Sequence, residues 1–411
     1  MKWSFYLSLV CIVLGLLSGC ASQGSDVPMD YRWANIEGSQ LKDANAGEQF
    51  YFNIFVDEGM IEEGVPIKIK VSGEVQSGAL HFELRDPSDQ AVWNSGRISP
   101  GDFTISTAYD LSSAKTGTFT LGLVYSENIS ATYNLGWHAI KLGPSVLLPG
   151  AGMVLVALSF VFYAARRKWL GWRYLGMGAL FWVLTVAVKF AFAIPVNPFV
   201  FRPLGVGQEN LFSPGNLAAY FYIGTLTGIF EAGLAYLILR KIRWGKASWS
   251  QALAFGIGFG VIEALLLGFS NLFSSLVAIT SPNVMPIVSL GTLAHNATFA
   301  LGLAPVVERL SVIFAHIFAC VLIFYAIANG EAKWAWYAVF YKTLLDTPAA
   351  FASFWGVVGS AGKIWTIEAI LVIFGLIGLW GTIQIARRYP RTKLEEPDKT
   401  METVTPTLTG S

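Results

Sequence analysis

The chain has 411 residues and a formal net charge of only +1, with 54% hydrophobic and 13% charged residues. This balance gives no support to binding of nucleic acid, which calls for a basic surface, so we expect no nucleic-acid partner. The apolar excess falls almost entirely after Pro144. Composition therefore indicates a membrane protein with a more polar N-terminal region.

The first twenty residues have the pattern of an export signal. Lys2 supplies the positive start, and the apolar stretch from Leu7 to Leu17 is too short to span a bilayer comfortably. Residues 17–20 read LSGC and resemble the lipobox of bacterial lipoproteins, in which the signal is cut before a cysteine that then carries lipid. The pattern predicts a lipoprotein-type signal peptide over 1–19 and lipidation of Cys20. A plain signal peptide with a chance cysteine is the alternative.

Residues 20–143 form the next predicted domain, in which polar and apolar residues alternate at the period of two that is typical of strands. Turn sequences such as DPSD at 86–89 separate the alternating runs. The candidate strands are Gln49–Val56, Pro66–Val75, Ala79–Arg85, Asp102–Tyr109, Gly117–Tyr125 and Tyr133–Lys141. Short strands at this spacing predict an antiparallel β-sandwich, which the export signal would place outside the cytoplasm.

From Pro144 onward, apolar stretches of about twenty residues follow one another, each long enough to cross a hydrocarbon core of ~30 Å. The predicted spans are 146–165, 171–194, 217–239, 249–272, 305–328, 334–356 and 363–386. The segment 273–304 is too polar and interrupted for a span, and a re-entrant or interfacial helix fits it better. The sequence thus predicts a polytopic α-helical membrane bundle of about seven spans over 144–388, followed by a disordered tail over 389–411.

Basic clusters orient these spans in the membrane. The clusters at 166–168, 240–243 and 387–388, together with Lys333, fall at alternate ends of the spans. The positive-inside rule assigns such ends to the cytoplasm. We therefore expect a multi-pass protein of the cell membrane, in contact with lipid, with an extracytoplasmic N-terminal domain and a cytoplasmic C-terminus.

Ionisable side chains lie near the middles of four separate apolar segments. A charge at bilayer depth costs roughly 2.5–3.5 kcal/mol on insertion scales, so membrane helices seldom carry one without a use. The four residues are Glu231, Glu263, His316 and Asp346. We expect them to converge on one polar site. Lys189, near the outer end of the second span, is expected instead to extend to the membrane interface.

The segments around these residues carry a resemblance to a known family. Residues 228–236 read GIFEAGLAY, 255–264 read FGIGFGVIEA, 308–316 read ERLSVIFAH and 341–346 read YKTLLD. In this order they resemble the YhfC family of predicted intramembrane metalloproteases, relatives of the CAAX-processing and PrsW-type membrane proteases. The resemblance implies hydrolysis of a membrane-embedded peptide or protein client by metal-activated water, with Glu231, Glu263, His316 and Asp346 as the catalytic residues. It further implies zinc as the expected divalent metal and Glu231, His316 and Asp346 as its ligands.

The sequence also departs from the family's pattern at the expected metal site. Ala232 stands in place of a second glutamate, Phe259 in place of a histidine, and Lys342 in place of another histidine. Phenylalanine cannot bind a metal, a protonated lysine repels one, and zinc prefers nitrogen ligands that are missing here. An active intramembrane metallopeptidase and a degenerate member with an eroded metal site both remain open as interpretations.

Helix geometry offers a third interpretation that needs no catalysis. Lys342 and Asp346 are four residues apart, so they share a helix face and neutralise each other. Arg309 does not share a face with the adjacent Glu308, so we expect it to reach Glu231 or Glu263 on another helix. Glu308, Arg309 and Lys342 are therefore candidates for a structural ion-pair network. The remaining alternative is a non-catalytic membrane receptor or ligand-binding protein whose exported sandwich recruits a partner.

The predicted orientation can be tested with reporter fusions. Reporters placed after Arg243 and after Arg391 should both be active in the cytoplasm, and one placed near Pro203 should be active outside it. Alkaline phosphatase fusions report an external position, and green fluorescent protein fusions report a cytoplasmic one. An external signal after Arg391 would contradict the count of seven spans.

Overall fold

The structure is a computed structural model that describes residues 32–167, 171–207, 210–357 and 360–390. The predicted signal peptide over 1–19, Cys20 and nearly all of the predicted tail lie outside the described residues and stay predictions. The chain packs as two compact units. Within the described residues, one contains 32–148 together with 271–302, and the other contains 149–270 together with 303–390.

Antiparallel strands form most of the first unit. They are β1 (Trp33–Ala44), β2 (Gly47–Val56), β3 (Ile67–Ser77), β4 (Leu80–Arg85), β5 (Ala91–Asn94), β6 (Gly101–Tyr109), β7 (Gly117–Tyr125) and β8 (Ile129–His138). All six predicted strands form, whereas β1 and β5 were not predicted. Gly38 has φ of 64° and the pairing of β1 with β8 shifts register, which breaks the alternation that would have revealed β1. β5 has only four residues.

The strands pair in two four-stranded sheets, in the orders β1-β8-β3-β6 and β2-β7-β4-β5. Side chains from both sheets form one hydrophobic cluster, to which β3 contributes Ile67, Ile69 and Val71. Lys68 and Lys70 alternate with them on the opposite face, as the period of a strand requires. The predicted antiparallel architecture of this region is confirmed, while its place outside the cytoplasm stays a prediction.

Helices form most of the described chain after β8, and one short helix, Glu58–Glu62, lies between β2 and β3. Those after β8 are numbered in chain order. They are α1 (Leu148–Arg166), α2 (Trp172–Leu204), α3 (Pro214–Leu239), α4 (Trp249–Thr280), α5 (Ile287–His295), α6 (Phe299–Asn329), α7 (Lys333–Trp355) and α8 (Ala361–Arg388). Within the described residues, six of them are long and apolar enough to cross a membrane, all except α5 and α7. The α7 helix lies where a span was predicted but carries Lys342 and Asp346, and its crossing stays a prediction.

The segment after α4 folds onto the first sheet. A 3₁₀ turn at Pro282–Val284 leads into α5, which contacts β1 and β8. A Cβ on Gly136 of β8 would lie 2.4 Å from Ile287 Cδ1, and one on Gly291 of α5 would lie 2.1 Å from the Trp33 ring. Glycine at these two positions lets the helix lie close against the strands. The segment 273–304, which the sequence favoured as a re-entrant or interfacial helix, thus contains a helix that covers one face of the sheet.

Glycines on two faces of α4 allow close packing within the helical unit. A Cβ on Gly256 would lie 2.8 Å from Ile317 Cα of α6, and Gly260 faces the same helix one turn later. Gly258 faces α2 instead, where a Cβ would lie 1.9 Å from the carbonyl oxygen of Leu175. Such small residues let membrane helices approach backbone to backbone. The α4 helix is therefore held between α2 and α6.

The contact at Gly258 predicts a sharp difference between two similar substitutions. Gly258→Ala should destabilise the protein by about 1–3 kcal/mol, because the added methyl group meets backbone that cannot move away. Gly176→Ala in α2 is the matched control, since nothing lies within 4 Å of its Cβ position. That control should be neutral or stabilising by roughly 0.5–1 kcal/mol. Thermal unfolding in detergent, followed by circular dichroism, measures both, and equal melting temperatures would contradict the packing.

Candidate active site

Glu231 is positioned by the close approach of α3 to α7. A Cβ on Gly228 would lie 2.3 Å from Thr343 Oγ1, so only glycine permits this contact. The stretch Gly228–Leu234, which contains Glu231, is π-helical. Such wider turns within α-helices occur frequently at functional sites. The Glu231 side chain is buried at 5% exposure and faces α7 and α2.

Two ammonium groups hold the Glu231 carboxylate. Lys189 Nζ of α2 lies 2.6 Å from Oε1, and Lys342 Nζ of α7 lies 3.1 Å from Oε2. The expectation that Lys189 extends to the membrane interface was wrong, because its ammonium turns inward to this carboxylate. A buried carboxylate without a cation would be an uncompensated charge, which is strongly destabilising. Lys342 likewise pairs with Glu231 and not primarily with Asp346.

Glu263 of α4 is held by three donors. Arg309 Nη1 lies 2.5 Å from Oε1, while His316 Nε2 and Trp182 Nε1 lie 2.7 Å and 3.0 Å from Oε2. The prediction that Arg309 reaches a carboxylate on another helix is confirmed with Glu263 as its partner. Contrary to expectation, Arg309 also contacts the adjacent Glu308, through its second terminal nitrogen, Nη2.

His316 joins the two carboxylate groups into one network. Its Nδ1 lies 3.4 Å from Lys342 Nζ, and its Nε2 contacts Glu263. An ammonium can only donate, so Nδ1 accepts from Lys342 and Nε2 carries the hydrogen that Glu263 accepts. The ring of Phe259 lies 5.2 Å from the His316 ring, centroid to centroid. The space beside the imidazole is thus filled by an apolar ring.

Glu231, Glu263 and His316 therefore meet, as the sequence predicted, but Asp346 lies at the margin. Asp346 is half-buried one turn along α7 from Lys342, whose ammonium its charge influences. Among the described contacts, no hydrogen bond or ion pair joins it to the other three. Sequence reasoning missed Trp182 and misplaced Lys189. Their spacing of seven, which puts both on one face of α2, was the available signal.

The donor atoms of this site do not fit a metal ion. Glu231 Oε1 lies against Lys189, and Oε2 lies 3.1 Å from Lys342 Nζ without accepting a hydrogen bond. Both oxygens of Glu263 face donors, and both nitrogens of His316 are engaged. Over the described residues, no group of three or more His, Cys, Asp or Glu side chains has the arrangement of a metal site. Lys189, Lys342 and Arg309 instead balance Glu231, Glu263 and Glu308. The predicted ligand set of Glu231, His316 and Asp346 is not assembled here.

Comparison with known proteins identifies the relatives of this helical unit. The sequence model of the YhfC intramembrane metalloprotease family matches residues 152–371, more than half of the chain. The uncharacterized membrane protein YhfC of Bacillus subtilis (strain 168) is 27% identical over 160 residues, which cover 36% of this chain and 61% of that protein. The match begins after the two-sheet region and includes the ion-pair network.

The network predicts a large cost for removing one carboxylate. Glu231→Gln leaves two buried ammonium groups without their carboxylate and should destabilise the protein by about 3–5 kcal/mol. Adding Lys342→Met to that variant removes one of the unpaired charges and should recover part of the loss. Thermal unfolding in detergent is the measurement.

The matched control is Glu331→Gln. Glu331 precedes α7 and pairs with Lys333, the first residue of that helix, and both side chains are exposed. Water screens such a pair, so the melting temperature should hardly change. Equal effects of Glu231→Gln and Glu331→Gln would show that the buried network does not hold the helices together.

Proposed function

This chain belongs to the YhfC intramembrane metalloprotease family, and we propose that it is a non-hydrolytic member whose metal centre has been replaced by ion pairs. The observation that carries the proposal is the occupation of Glu231 by two ammonium groups. Metal-assisted hydrolysis needs carboxylate or imidazole lone pairs directed at a cation and an open position for water. Neither requirement fits a carboxylate already neutralised by Lys189 and Lys342.

The substitution at Lys342 supports the same conclusion in a second way. Lys342 stands where the family resemblance leads one to expect a histidine, and its ammonium carries the positive charge between Glu231 and His316. An ammonium supplies charge without Lewis acidity, so it can stabilise the carboxylates but cannot lower the pKa of a bound water. Phe259, in place of another histidine, fills the space next to His316.

For the client, we propose a polypeptide segment embedded in the membrane, bound without cleavage. Support comes from α2, which supplies Trp182 and Lys189 to the network. In the most apolar stretch of α2, only 17% of the helix is buried inside the protein. The helix thus separates the polar centre from its surroundings with little packing of its own, and a client helix in the bilayer would meet α2 first.

Location and topology complete the proposal. We assign the chain to the cytoplasmic membrane, with the two-sheet region outside, Cys20 lipidated and the C-terminus inside. The lipobox-like sequence LSGC and the basic clusters at alternate span ends support this assignment. The membrane helices themselves imply contact with lipid.

Metal analysis tests the loss of the metal centre. Protein purified without chelators should hold far less than one equivalent of zinc by mass spectrometry of the elements. The double variant Phe259→His/Lys342→His restores two nitrogen ligands next to His316 and should take up zinc. Lys342→His alone is the control and should bind it weakly, because Phe259 still fills the space beside His316.

Reconstitution with a synthetic transmembrane peptide tests hydrolysis directly. The natural protein should return the peptide at its original mass. One equivalent of zinc that survives dialysis, together with peptide cleavage abolished by Glu263→Gln, would overturn the proposal. Peptide that stays intact but migrates with the protein on gel filtration supports binding without cleavage.

A further inference from the structure

A polar cleft lies between the first sheet and the segment that covers it. It is shallow and opens to the surface, so a ligand would lie at its mouth. The polar lining comes from three neighbouring strands: Lys68 and Lys70 of β3, Ser106 of β6 and His138 of β8. Met285 and Ile287 from the covering segment form the opposite wall.

Strand register brings the four polar side chains together. His138 lies directly opposite Lys68, and Ser106 lies directly opposite Lys70. All four therefore project from the same face of the sheet, within the reach of cross-strand neighbours. No carboxylate lines the cleft, and among the described residues neither lysine forms an ion pair. The cleft is consequently a concentration of positive charge without a counter-ion.

His138 is the buried element of this cleft. It is 4% exposed, and its Nδ1 has no hydrogen-bond partner among the described residues. Burial and the neighbouring Lys68 lower the pKa of His138 to about 4, so the ring is neutral near pH 7. A neutral imidazole can carry its hydrogen on Nδ1 and donate it. In that tautomer Nδ1 is a buried donor without a partner among the described residues, and an acceptor from outside the chain would satisfy it.

The cleft also lies next to the end of a membrane-capable helix. α4 ends at Thr280, and Pro282, two residues later, lines the cleft together with Met285. Phosphate groups of lipid headgroups lie just beyond the ends of spanning helices. Position and charge therefore point to the same ligand chemistry.

We propose that this cleft binds a phosphoryl anion, held by the ammonium groups of Lys68 and Lys70 and by hydrogen bonds from Ser106 Oγ and His138 Nδ1. An anionic phospholipid headgroup and free inorganic phosphate share this chemistry. Lipid bound here would tether the sheet and its covering helix α5 to the membrane surface. The proposal is independent of whether the membrane centre hydrolyses peptides, because none of the cleft residues belongs to that centre.

Binding can be measured on the full-length protein in detergent with two probes, inorganic phosphate and short-chain phosphatidylglycerol. The chain has four histidines, so selective ¹⁵N-histidine labelling gives few signals, and His138→Gln identifies the one that matters. Either probe should shift the His138 resonances. A bound anion favours the charged ring, so the pKa of His138 should rise from about 4.

Lys68→Ala/Lys70→Ala should weaken binding of the probe at least tenfold. Lys42→Ala is the matched control, since Lys42 lies in β1 of the same sheet but outside the cleft, and it should bind as the natural protein does. Tighter binding of phosphatidylglycerol than of phosphate identifies the lipid as the ligand, and equal binding identifies the free ion. Unchanged binding in the double variant, equal loss in Lys42→Ala, or no shift of His138 would overturn the proposal.

Discussion

Burial of Glu231 and Glu263 among apolar helices is the constraint on which the helical unit depends. A carboxylate removed from water loses several kcal/mol of hydration, and only close, well-placed cations and donors return it. Lys189 and Lys342 serve Glu231, and Arg309 serves Glu263. These side chains come from different helices, so each ion pair is also a contact between helices.

The glycines of the bundle follow from the same requirement. Ion pairs within about 3 Å need helices whose backbones approach closely, and Gly228 of α3 and Gly258 of α4 provide such contacts with α7 and α2. The π-helical stretch around Glu231 changes the direction in which that side chain points. Packing and electrostatics therefore act together: the glycines bring the helices near, and the charges fix their partners.

Neutralisation by side chains and coordination of a metal compete for the same lone pairs. A dication can hold several carboxylates and imidazoles at once, whereas an ammonium satisfies them through hydrogen bonds and leaves no open position for water. With Lys342 between Glu231 and His316, the centre is electrically balanced without a metal. Under the proposed function, the polar residues that mark a family of metalloproteases persist in this member for their contribution to stability.

The amino-acid sequence by itself determined six of the eight described strands and the long apolar helices, because alternation at period two and long apolar runs are local patterns. It missed β1 and β5. The sequence also located Glu231, Glu263 and His316, since an ionisable residue within an apolar run is recognisable from the sequence alone. Only the tertiary structure decided which cation each carboxylate meets. The sequence predicted that Lys189 extends to the membrane interface, but the rotation of α2 places its Nζ 2.6 Å from Glu231 Oε1. Partner choice depends on helix rotation and separation, which arise from contacts between residues distant in sequence. For that reason local patterns found the charges, but the fold alone decided that they pair with one another and leave no donor set for a metal.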